Sequence, residues 1–343
     1  MSPEDPFELF FDPRILLQIP PAYIITAFVL LVSTGLTFAY FLLRLIAHHP
    51  RPSTSSERTY LTTTSTGQHS SPLPLPDAFT TPAALTISVV VPAYNERARL
   101  PAMLQEAVEF LTAAYPHDWE ILIVDDGSSD GTSHVALDFA LAHNDLIKPE
   151  QMRVIILERN RGKGGAVAHG MRHVRGRYAI FADADGASKF SDLSSLMASL
   201  SEIEKSNYGI AVGSRAHMVK TDAVVKRSFI RNFLMHSFHT LLKTVGVREI
   251  RDTQCGFKLF SRKAVGAVFS DLRTEGWIFD IEVLLLAAYK GIPVVECPVS
   301  WHEVEGTKVD LLKDSVRMAW DLGVVRAGYA VGVYTVGPGG PGR

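Results

Sequence analysis

The stretch Tyr178–Ala184, YAIFADA, is a short apolar run that leads into the acidic triplet Asp183-Ala184-Asp185. Three earlier runs are also short, rich in Val and Ile and bounded by polar or turn residues: Ile87–Ala93, Glu120–Asp126 and Arg153–Glu158. Apolar runs of this length between turn residues are typical of buried strands. We therefore predict a strand at each run and a further strand over Gly209–Ser214.

Segments with apolar residues at helical spacing separate these runs: Arg97–Ala114, Thr132–His143 and Gly164–Val174. Strands that alternate with helices form a mostly parallel sheet with helices packed on both faces. The predicted fold class is therefore α/β, with a Rossmann-like sheet. A length of 343 residues with 47% apolar content is enough for a sizeable core.

Every one of the first four predicted strands is followed by a polar or glycine-rich segment. In chain order these segments are Pro92–Glu96, Asp125–Gly131, Asn160–Gly165 and Asp183–Gly186. Open α/β sheets bind ligands outside the carboxyl ends of their strands, so these segments should open on one edge. The sequence therefore predicts a binding site at that edge.

The residue types at this edge suit a nucleotide that carries a diphosphate. A turn can bring Asp183 and Asp185 to one divalent cation, Mg²⁺ or Mn²⁺, which would neutralise diphosphate charge. Lys163 lies in a glycine-rich turn at a helix start, where backbone N–H groups favour anions. Three more side chains can hold a base or ribose: Tyr94, Glu96 and Asp126.

Other site types are excluded by missing motifs. There is no GxGxxG after the first strand and no GxxxxGK[ST], which excludes the dinucleotide fingerprint and the P-loop. A GxSxG elbow is also absent. The net charge of -2 gives no indication of nucleic-acid binding. The two cysteines, Cys255 and Cys297, form no metal-binding pattern and are predicted to be reduced and buried.

The N-terminal region predicts a membrane anchor. Residues 22–43 carry no charge, and about 20 apolar residues suffice to span a bilayer. A signal peptide is disfavoured because the chain begins with acidic residues. Arg44, Arg51 and Arg58 follow the span, whereas only Arg14 precedes it. The positive-inside rule then places the following domain in the cytosol and residues 1–21 in the lumen, with the anchor over 22–47.

Two later regions differ from the α/β core. Residues 48–85 are rich in Ser, Thr and Pro and are expected to form a linker, mobile in part. Asp222–Val247 has apolar residues at helical spacing with Lys and Arg interleaved, and Lys313–Arg326 has a weaker pattern. These segments are either ordinary amphipathic helices on the core or helices in the membrane interface. The tail 331–343 ends in GPGGPGR and is expected to be disordered.

Four motifs in this order resemble those of the family 2 glycosyltransferases with the GT-A fold: SVVVPAYNE (88–96), IVDDGSSDGT (123–132), NRGKGGAV (160–167) and DADG (183–186). The resemblance covers roughly residues 86–309. Within the family, the later segments resemble the members that glucosylate dolichyl phosphate. Those segments are FADADGA (181–187), GSR (213–215), KRSFIRN (226–232), DTQCGFKLF (252–260) and GWIFDIE (276–282).

The resemblance implies UDP-glucose as donor, dolichyl phosphate as acceptor and a single-pass protein of the endoplasmic reticulum membrane that serves N-glycan precursor assembly. It implies a nucleotide-sugar half over 86–215 and an acceptor half at the membrane interface over 216–330. The implied nucleotide-sugar residues are Pro92, Ala93, Tyr94, Asn95, Glu96, Val124, Asp126, Lys163, Asp183 and Ala184. The implied metal residues are Asp183 and Asp185.

The same resemblance suggests residues for catalysis and for the acceptor phosphate. The catalytic set is Asp185, Arg215, Arg231 and Asp280. The acceptor-phosphate set is Arg215, Arg227, Arg231, Lys258 and Lys308. Asp280 has two interpretations, a contact with a sugar hydroxyl or an N-cap for a helix over Ile281–Tyr289.

Three other functions compete with this interpretation. A mannosyltransferase that uses GDP-mannose shares the first motifs. A non-catalytic membrane-tethered protein on a decayed transferase fold is disfavoured, because the charged residues of the motifs are all present. A polysaccharide-building transferase is also disfavoured, since the sequence has no QxxRW segment and no second long apolar span.

Overall fold

A computed structural model describes residues 20–220, 250–304 and 311–341. Two compact units are distinguished: one holds the chain up to Ala47 together with Ala327–Tyr334, and the other holds His48–Arg326 together with the chain from Thr335. The first unit contains helix α1, Pro21–Ile46, which has 26 residues. By length and composition, α1 is the one helix among the described residues that is long and apolar enough to cross a membrane.

The second unit is built on a seven-stranded sheet. Its strands are β3 (Leu85–Ala93), β4 (Trp119–Asp125), β5 (Met152–Ile156), β6 (Gly176–Ala182), β7 (Ile210–Ser214), β8 (Phe257–Ser261) and β9 (Val294–Pro298). A separate two-stranded sheet is formed by β1 (Thr59–Tyr60) and β2 (Leu73–Pro74).

The α-helices that follow α1 in the described chain are α2 (Leu100–Ala114), α3 (Thr132–Ala142), α4 (Lys163–Arg172), α5 (Leu193–Ile203), α6 (Arg262–Phe269), α7 (Phe279–Tyr289) and α8 (Leu311–Ala330). Helices α2 to α4 alternate with strands β3 to β6, as the sequence pattern predicts, and the last turn of α8 belongs to the first unit. Apolar side chains of α2 and α5 pack with those of the sheet in one large buried cluster, which includes Leu104, Trp119 and Leu196. Burial of these side chains is the main source of stability.

The strand order of the large sheet is β5-β4-β3-β6-β8-β7-β9. The pairs among β3, β4, β5 and β6 are parallel, and so is the pair β7 and β9. Strand β8 is antiparallel to both of its neighbours, β6 and β7. The chain turns from β3 toward β4 and β5 and then continues on the other side with β6. That reversal is the topological switch point at which α/β sheets bind ligands.

The segment 48–85 is folded onto the domain, which corrects the expectation of a mobile linker. Leu61 and Val154 exchange both backbone hydrogen bonds at 2.8 Å, so this segment extends the sheet beyond β5. Glu57 and Thr62 are 3% and 2% exposed. The segment is ordered because its hydroxyl groups find protein partners, as when Thr62 donates to the carbonyl of Met152 at 2.7 Å.

Two other expectations concern the second half of the chain. The predicted acceptor half supplies β8 and β9 to the central sheet, and its role in acceptor binding stays a prediction. Gly337 of the expected disordered tail is held, since its N–H donates to Asp271 at 2.7 Å and its carbonyl accepts from Lys290 at 2.9 Å. The segment Asp222–Val247 lies outside the described residues.

Candidate active site

A cleft of about 920 Å³ opens where β3, β4, β5 and β6 end. It is lined by Pro92, Ala93, Tyr94, Asn95, Glu96, Asp126, Lys163, Asp183, Ala184 and Asp185. These are the residues implied for nucleotide sugar and metal, apart from Val124. Val124 lies within β4 and is fully buried, so its side chain does not line the cleft. The common edge of parallel strand ends explains why four separate motifs meet here.

The loops after β3 and β4 are fastened to each other. The N–H of Asn95 donates to Ser128 Oγ at 2.9 Å, and the N–H of Ser129 donates back to Asn95 Oδ1 at 2.9 Å. The N–H of Glu96 donates to Thr132 Oγ1 at 2.9 Å. Tyr94 of the first loop stays 41% exposed and lines the cleft.

Glu96 holds a cation that the sequence analysis did not single out. Arg99 donates to Glu96 through Nε and Nη2, each at 2.7 Å. Such two-point pairing fixes the guanidinium plane. Arg99 also lines the cleft, so the pair presents an oriented positive group to it. The spacing of Glu96 and Arg99 could have predicted this pair, because side chains three residues apart at a helix start can meet.

Asp126 organises the glycine-rich loop that follows β5. Its Oδ1 accepts the N–H of Arg161 at 2.7 Å, and its Oδ2 accepts the N–H of Gly162 at 2.9 Å. Burial raises the pKa of Asp126 to about 6, against the lowering effect of these hydrogen bonds. Gly162 has φ +90, and an added Cβ would lie 2.7 Å from the Glu275 carbonyl oxygen. Only glycine fits this close turn.

Lys163, at the first turn of α4, reaches the acidic triplet. Its Nζ lies 2.6 Å from Asp183 Oδ1 and 5.9 Å from the centre of the Trp277 ring. Burial opposes the charge on the ammonium, yet the carboxylates of Asp183 and Asp280 hold the pKa of Lys163 above its ordinary value. Lys163 is therefore cationic and lies beside the first aspartate of the triplet.

The two aspartates of the triplet lie close enough for their charges to interact. Burial raises the pKa of Asp185, and the nearby charge of Asp183 raises it further. Two carboxylates in such mutual repulsion are relieved by a bound cation. Within the described residues no cluster of three or more His, Cys, Asp or Glu is arranged to hold a metal. Mg²⁺ suits this arrangement, because it is commonly bound by one or two carboxylates plus substrate phosphates and water.

The segment DTQCGFKLF supports the triplet from the neighbouring strand. The N–H of Asp183 donates to the carbonyl of Gly256 at 3.1 Å. In the following strand, Lys258 pairs in register with Phe181. The segment therefore fixes the end of β6, at which the triplet begins.

Lys258 and Asp280 were predicted to contact substrate groups, but both are buried and they pair with each other. Lys258 Nζ lies 2.5 Å from Asp280 Oδ1 and donates to the Cys255 carbonyl at 2.6 Å. The two residues are 0% and 3% exposed and do not line the cleft, so Lys258 is not placed to bind an acceptor phosphate there. Asp280 is also not an N-cap, because α7 begins at Phe279 and its N-cap residue is Ile278.

Four predicted cationic residues remain, and Arg215 is the one that belongs to the described part of the chain. Arg215 donates to Asp252 through Nε at 2.7 Å and through Nη2 at 2.9 Å. Its guanidinium also lies over Trp301, 5.5 Å from the ring centre. Hydrogen bonding to Asp252 raises the pKa of Arg215 despite its burial, and Arg215 does not line the cleft. The other three are outside the described residues: Arg227, Arg231 and Lys308.

Sequence reasoning missed the wall of the cleft formed by residues 273–277. Buried Glu282 of α7 accepts the N–H of Arg273 at 3.0 Å and the N–H of Thr274 at 2.8 Å, which fixes this loop. Glu275 and Trp277 of the loop line the cleft. The GWIFDIE motif includes part of this wall. The contact between the wall and the glycine-rich loop arises only in the tertiary structure, so no local sequence signal predicts it.

A mixed, mostly parallel α/β sheet with an acidic pair and a lysine at its carboxyl edge defines a glycosyltransferase of the GT-A type. The predicted fold class is thus confirmed. The solved structure of glucosyl-3-phosphoglycerate synthase from Mycobacterium tuberculosis with UDP has the same fold, with TM-score 0.50 and 18% identity over 78% of this chain and 88% of that chain. A second structure of that protein, with Mn²⁺, UDP-glucose and phosphoglyceric acid, gives 0.50 and 19% over 71% and 80%.

The chain belongs to Glycosyl transferase family 2, whose profile matches residues 88–269. It is 48% identical to the dolichyl-phosphate β-glucosyltransferase of Saccharomyces cerevisiae over 315 residues, covering 90% of this chain and 94% of the relative. It is 42% identical to the human protein of the same name over 254 residues, covering 72% of this chain and 77% of the relative. The predicted family and enzyme class are confirmed: the protein is a glycosyltransferase.

Proposed function

We propose that the protein transfers glucose from UDP-glucose to dolichyl phosphate with inversion, giving dolichyl β-D-glucosyl phosphate and UDP. One observation carries the proposal: 48% identity to the yeast dolichyl-phosphate β-glucosyltransferase extends over 94% of that relative. The geometry of the cleft is consistent with it, because an acidic pair and a lysine suited to a diphosphate meet there.

The donor is held by the strand-end residues. Tyr94 packs on the base, Asp126 keeps the glycine-rich loop closed beneath the nucleotide, and Lys163 meets the diphosphate. Asp183 and Asp185 would hold a divalent cation, which would neutralise the charge of the diphosphate. A neighbour of the same fold was solved with Mn²⁺ and UDP-glucose, which supports this choice of ligands.

The acceptor phosphate is the nucleophile. An α-linked donor that yields a β-linked product requires one in-line displacement: the bond from the acceptor oxygen to the anomeric carbon forms as the bond from that carbon to UDP breaks. A phosphomonoester has a second pKa of about 6, so the attacking oxygen is already ionised near neutral pH. The protein therefore needs to align the reactants and stabilise the leaving group, without a strong general base.

Two features support the membrane location. Helix α1 acts as a single anchor, with the catalytic domain on the cytosolic face of the endoplasmic reticulum. In α8, Val316 and Trp320 lie one turn apart and are 63% and 62% exposed, which suits a helix in the membrane interface. Arg317 and Met318 of the same helix line the cleft, so a lipid-borne phosphate has a route to it. Arg215, Arg227, Arg231 and Lys308 remain our proposals for residues that meet this phosphate.

A donor assay tests the proposal. The purified full-length protein is incubated with dolichyl phosphate and either labelled UDP-glucose or labelled GDP-mannose, and the lipid product is extracted and its anomeric configuration determined. We expect β-glucosyl transfer from UDP-glucose only. Transfer from GDP-mannose would contradict the donor assignment. A protein that is folded and binds UDP but transfers neither sugar would contradict the enzymatic role.

A further inference from the structure

The guanidinium group of Arg161 is held by the chain that directly follows the predicted membrane anchor. It donates to the carbonyl of Arg51 at 2.6 Å, to the carbonyl of Pro52 at 3.1 Å and to the carboxylate of Glu57 at 2.5 Å. The side chains of Arg161 and Glu57 are only 7% and 3% exposed. A buried cation requires such partners, because burial without them is strongly unfavourable.

The backbone of the same residue belongs to the donor site. The N–H of Arg161 donates to Asp126, the next residue does the same, and Lys163 then pairs with Asp183. A single residue, Gly162, therefore separates Arg161, whose guanidinium is bound by the post-anchor chain, from Lys163, whose ammonium pairs with the acidic triplet. Because only this glycine lies between the two residues, a displacement of Arg161 is expected to move Lys163.

Arg51 joins this loop to the opposite wall of the cleft. Its Nε donates to Glu275 Oε2 at 3.0 Å, and its Nη2 donates to the carbonyl of Asn160 at 2.9 Å. The carbonyl of Glu275 in turn accepts the N–H of Gly165 in α4 at 2.9 Å. Arg51 and Glu275 both line the cleft. The post-anchor chain is thus part of the cleft wall and connects its two loops.

Glu57 secures the segment at both ends of the glycine-rich loop. Its Oε1 accepts the N–H of Glu158 at 3.1 Å, before the loop. Its backbone carbonyl lies 2.8 Å from His169 Nε2, which follows the loop in α4. The buried carboxylate therefore contacts the loop at its start and, through Arg161, at its centre.

We propose that Arg51–Glu57 is a positioning element of the donor site, which holds Asn160–Lys163 in the conformation that binds the diphosphate of the nucleotide sugar. The inference rests on the proposed function, since it takes the cleft as the UDP-glucose site. The segment has two roles: it joins the anchor to the domain and it shapes the site. Glu57 and Arg51 act through the loop and are positioning residues, without contact to the reacting atoms.

The test measures UDP binding by calorimetry with the full-length protein in detergent, for Glu57→Gln, Arg161→Gln and the double variant. Arg58→Ala is the matched control, because Arg58 is exposed and directly follows this segment in the chain. We expect Glu57→Gln to raise the Kd for UDP by about tenfold, while Arg58→Ala leaves it unchanged. The double variant should bind no more weakly than Arg161→Gln alone, because both changes remove one coupled pair.

A second variant tests the proposal if Glu57→Gln does not fold. Arg51 is 44% exposed at its side chain, so Arg51→Ala should keep its thermal midpoint while raising KM for UDP-glucose more than it lowers kcat. The positioning role would be overturned if folded Glu57→Gln bound UDP with the wild-type Kd, or if the two substitutions raised the Kd independently in the double variant. Neither outcome would contradict the proposed glucosyl transfer. A wild-type protein that did not bind UDP would contradict both proposals.

Discussion

Gly256 lies so close to the carboxylate of Asp183 that no side chain fits between them. A Cβ added to Gly256 would be 1.9 Å from Asp183 Oδ2 and 2.2 Å from its Cγ. Real Cβ atoms do not approach other atoms so closely, and the atoms they would meet belong to a short side chain that can turn away. The direction of this carboxylate therefore depends on the glycine of the DTQCGFKLF segment.

Replacing Gly256 by alanine should damage the site and spare the fold. We expect Gly256→Ala to lower kcat/KM by about 100-fold, because the Asp183 carboxylate must turn away from the diphosphate. The thermal midpoint should change little. The matched control is Gly266→Ala, where the added Cβ meets only Phe79 at 3.9 Å, an ordinary contact. Equal activity of the two variants would contradict this account.

The acidic triplet should be needed for transfer and not for folding. Asp183→Asn and Asp185→Asn are each expected to reduce glucosyl transfer by at least about 1,000-fold, because each removes a carboxylate that we propose holds the cation of the diphosphate. Calorimetric titration with UDP, with and without Mn²⁺, separates the two roles: the wild-type protein should bind UDP more tightly with Mn²⁺, and the variants should lose this difference. A folded double variant with full activity would refute the assignment of metal and diphosphate to these residues.

The pair of Lys258 and Asp280 should contribute to stability rather than to acceptor binding. Lys258→Met leaves the Asp280 carboxylate buried without its cation, which should cost about 3–5 kcal/mol of unfolding free energy. Lys258→Met combined with Asp280→Leu should recover most of that loss. Denaturant unfolding of the three proteins measures both effects. A Lys258→Met protein of unchanged stability that had lost only affinity for dolichyl phosphate would restore the original interpretation of this lysine.

Acid should weaken the attachment of the segment 48–85 through His173. This residue is 6% exposed, its Nδ1 lies 2.6 Å from the Pro76 carbonyl, and burial lowers its pKa from 6.5 to about 4. As the pH falls, the unfolded chain takes up this proton first. The contribution of His173 is therefore complete above pH 6.5 and is lost as the pH falls toward 4, by about 3 kcal/mol.

Chemical unfolding midpoints at pH 7.5 and pH 5 check this prediction. His173→Gln should show a smaller loss of stability between the two values than the wild-type protein. His134→Gln, a change at an exposed histidine, should behave as wild type. An undiminished pH dependence in His173→Gln would show that other groups cause it.

The sequence predicted the strands closely, because short apolar runs carry their own signal. The second run was expected over Glu120–Asp126 and forms β4 over Trp119–Asp125. Helix starts were less certain. The first helix was expected from Arg97 and begins at Leu100, because the N–H of Arg97 donates to Asp130, 33 residues away in the chain. Such long-range partners cannot be inferred from local periodicity.

Buried charges were the main failure of the sequence analysis. Glu120 lies in an apolar run and is 0% exposed, where it accepts from Arg153 at 2.7 Å and from Arg175 at 2.6 Å. Lys258 was likewise expected to be accessible. The sequence reveals a charged residue but not whether strand order supplies an opposite charge beside it. The role of the segment after the anchor was hidden for the same reason, since its composition is that of a linker.

The insertion of β8 between β6 and β7 has a consequence for the newborn chain. Strands β3 to β6 can pair with one another as soon as they are made, but β7 has no partner until β8 and β9 follow it. At about 5–20 residues per second, synthesis from Ser214 to Phe257 takes roughly 2–9 seconds. During that interval the free edge of β6 is open to unwanted pairing. A chaperone that shields this edge would therefore act within a short and definable period of translation.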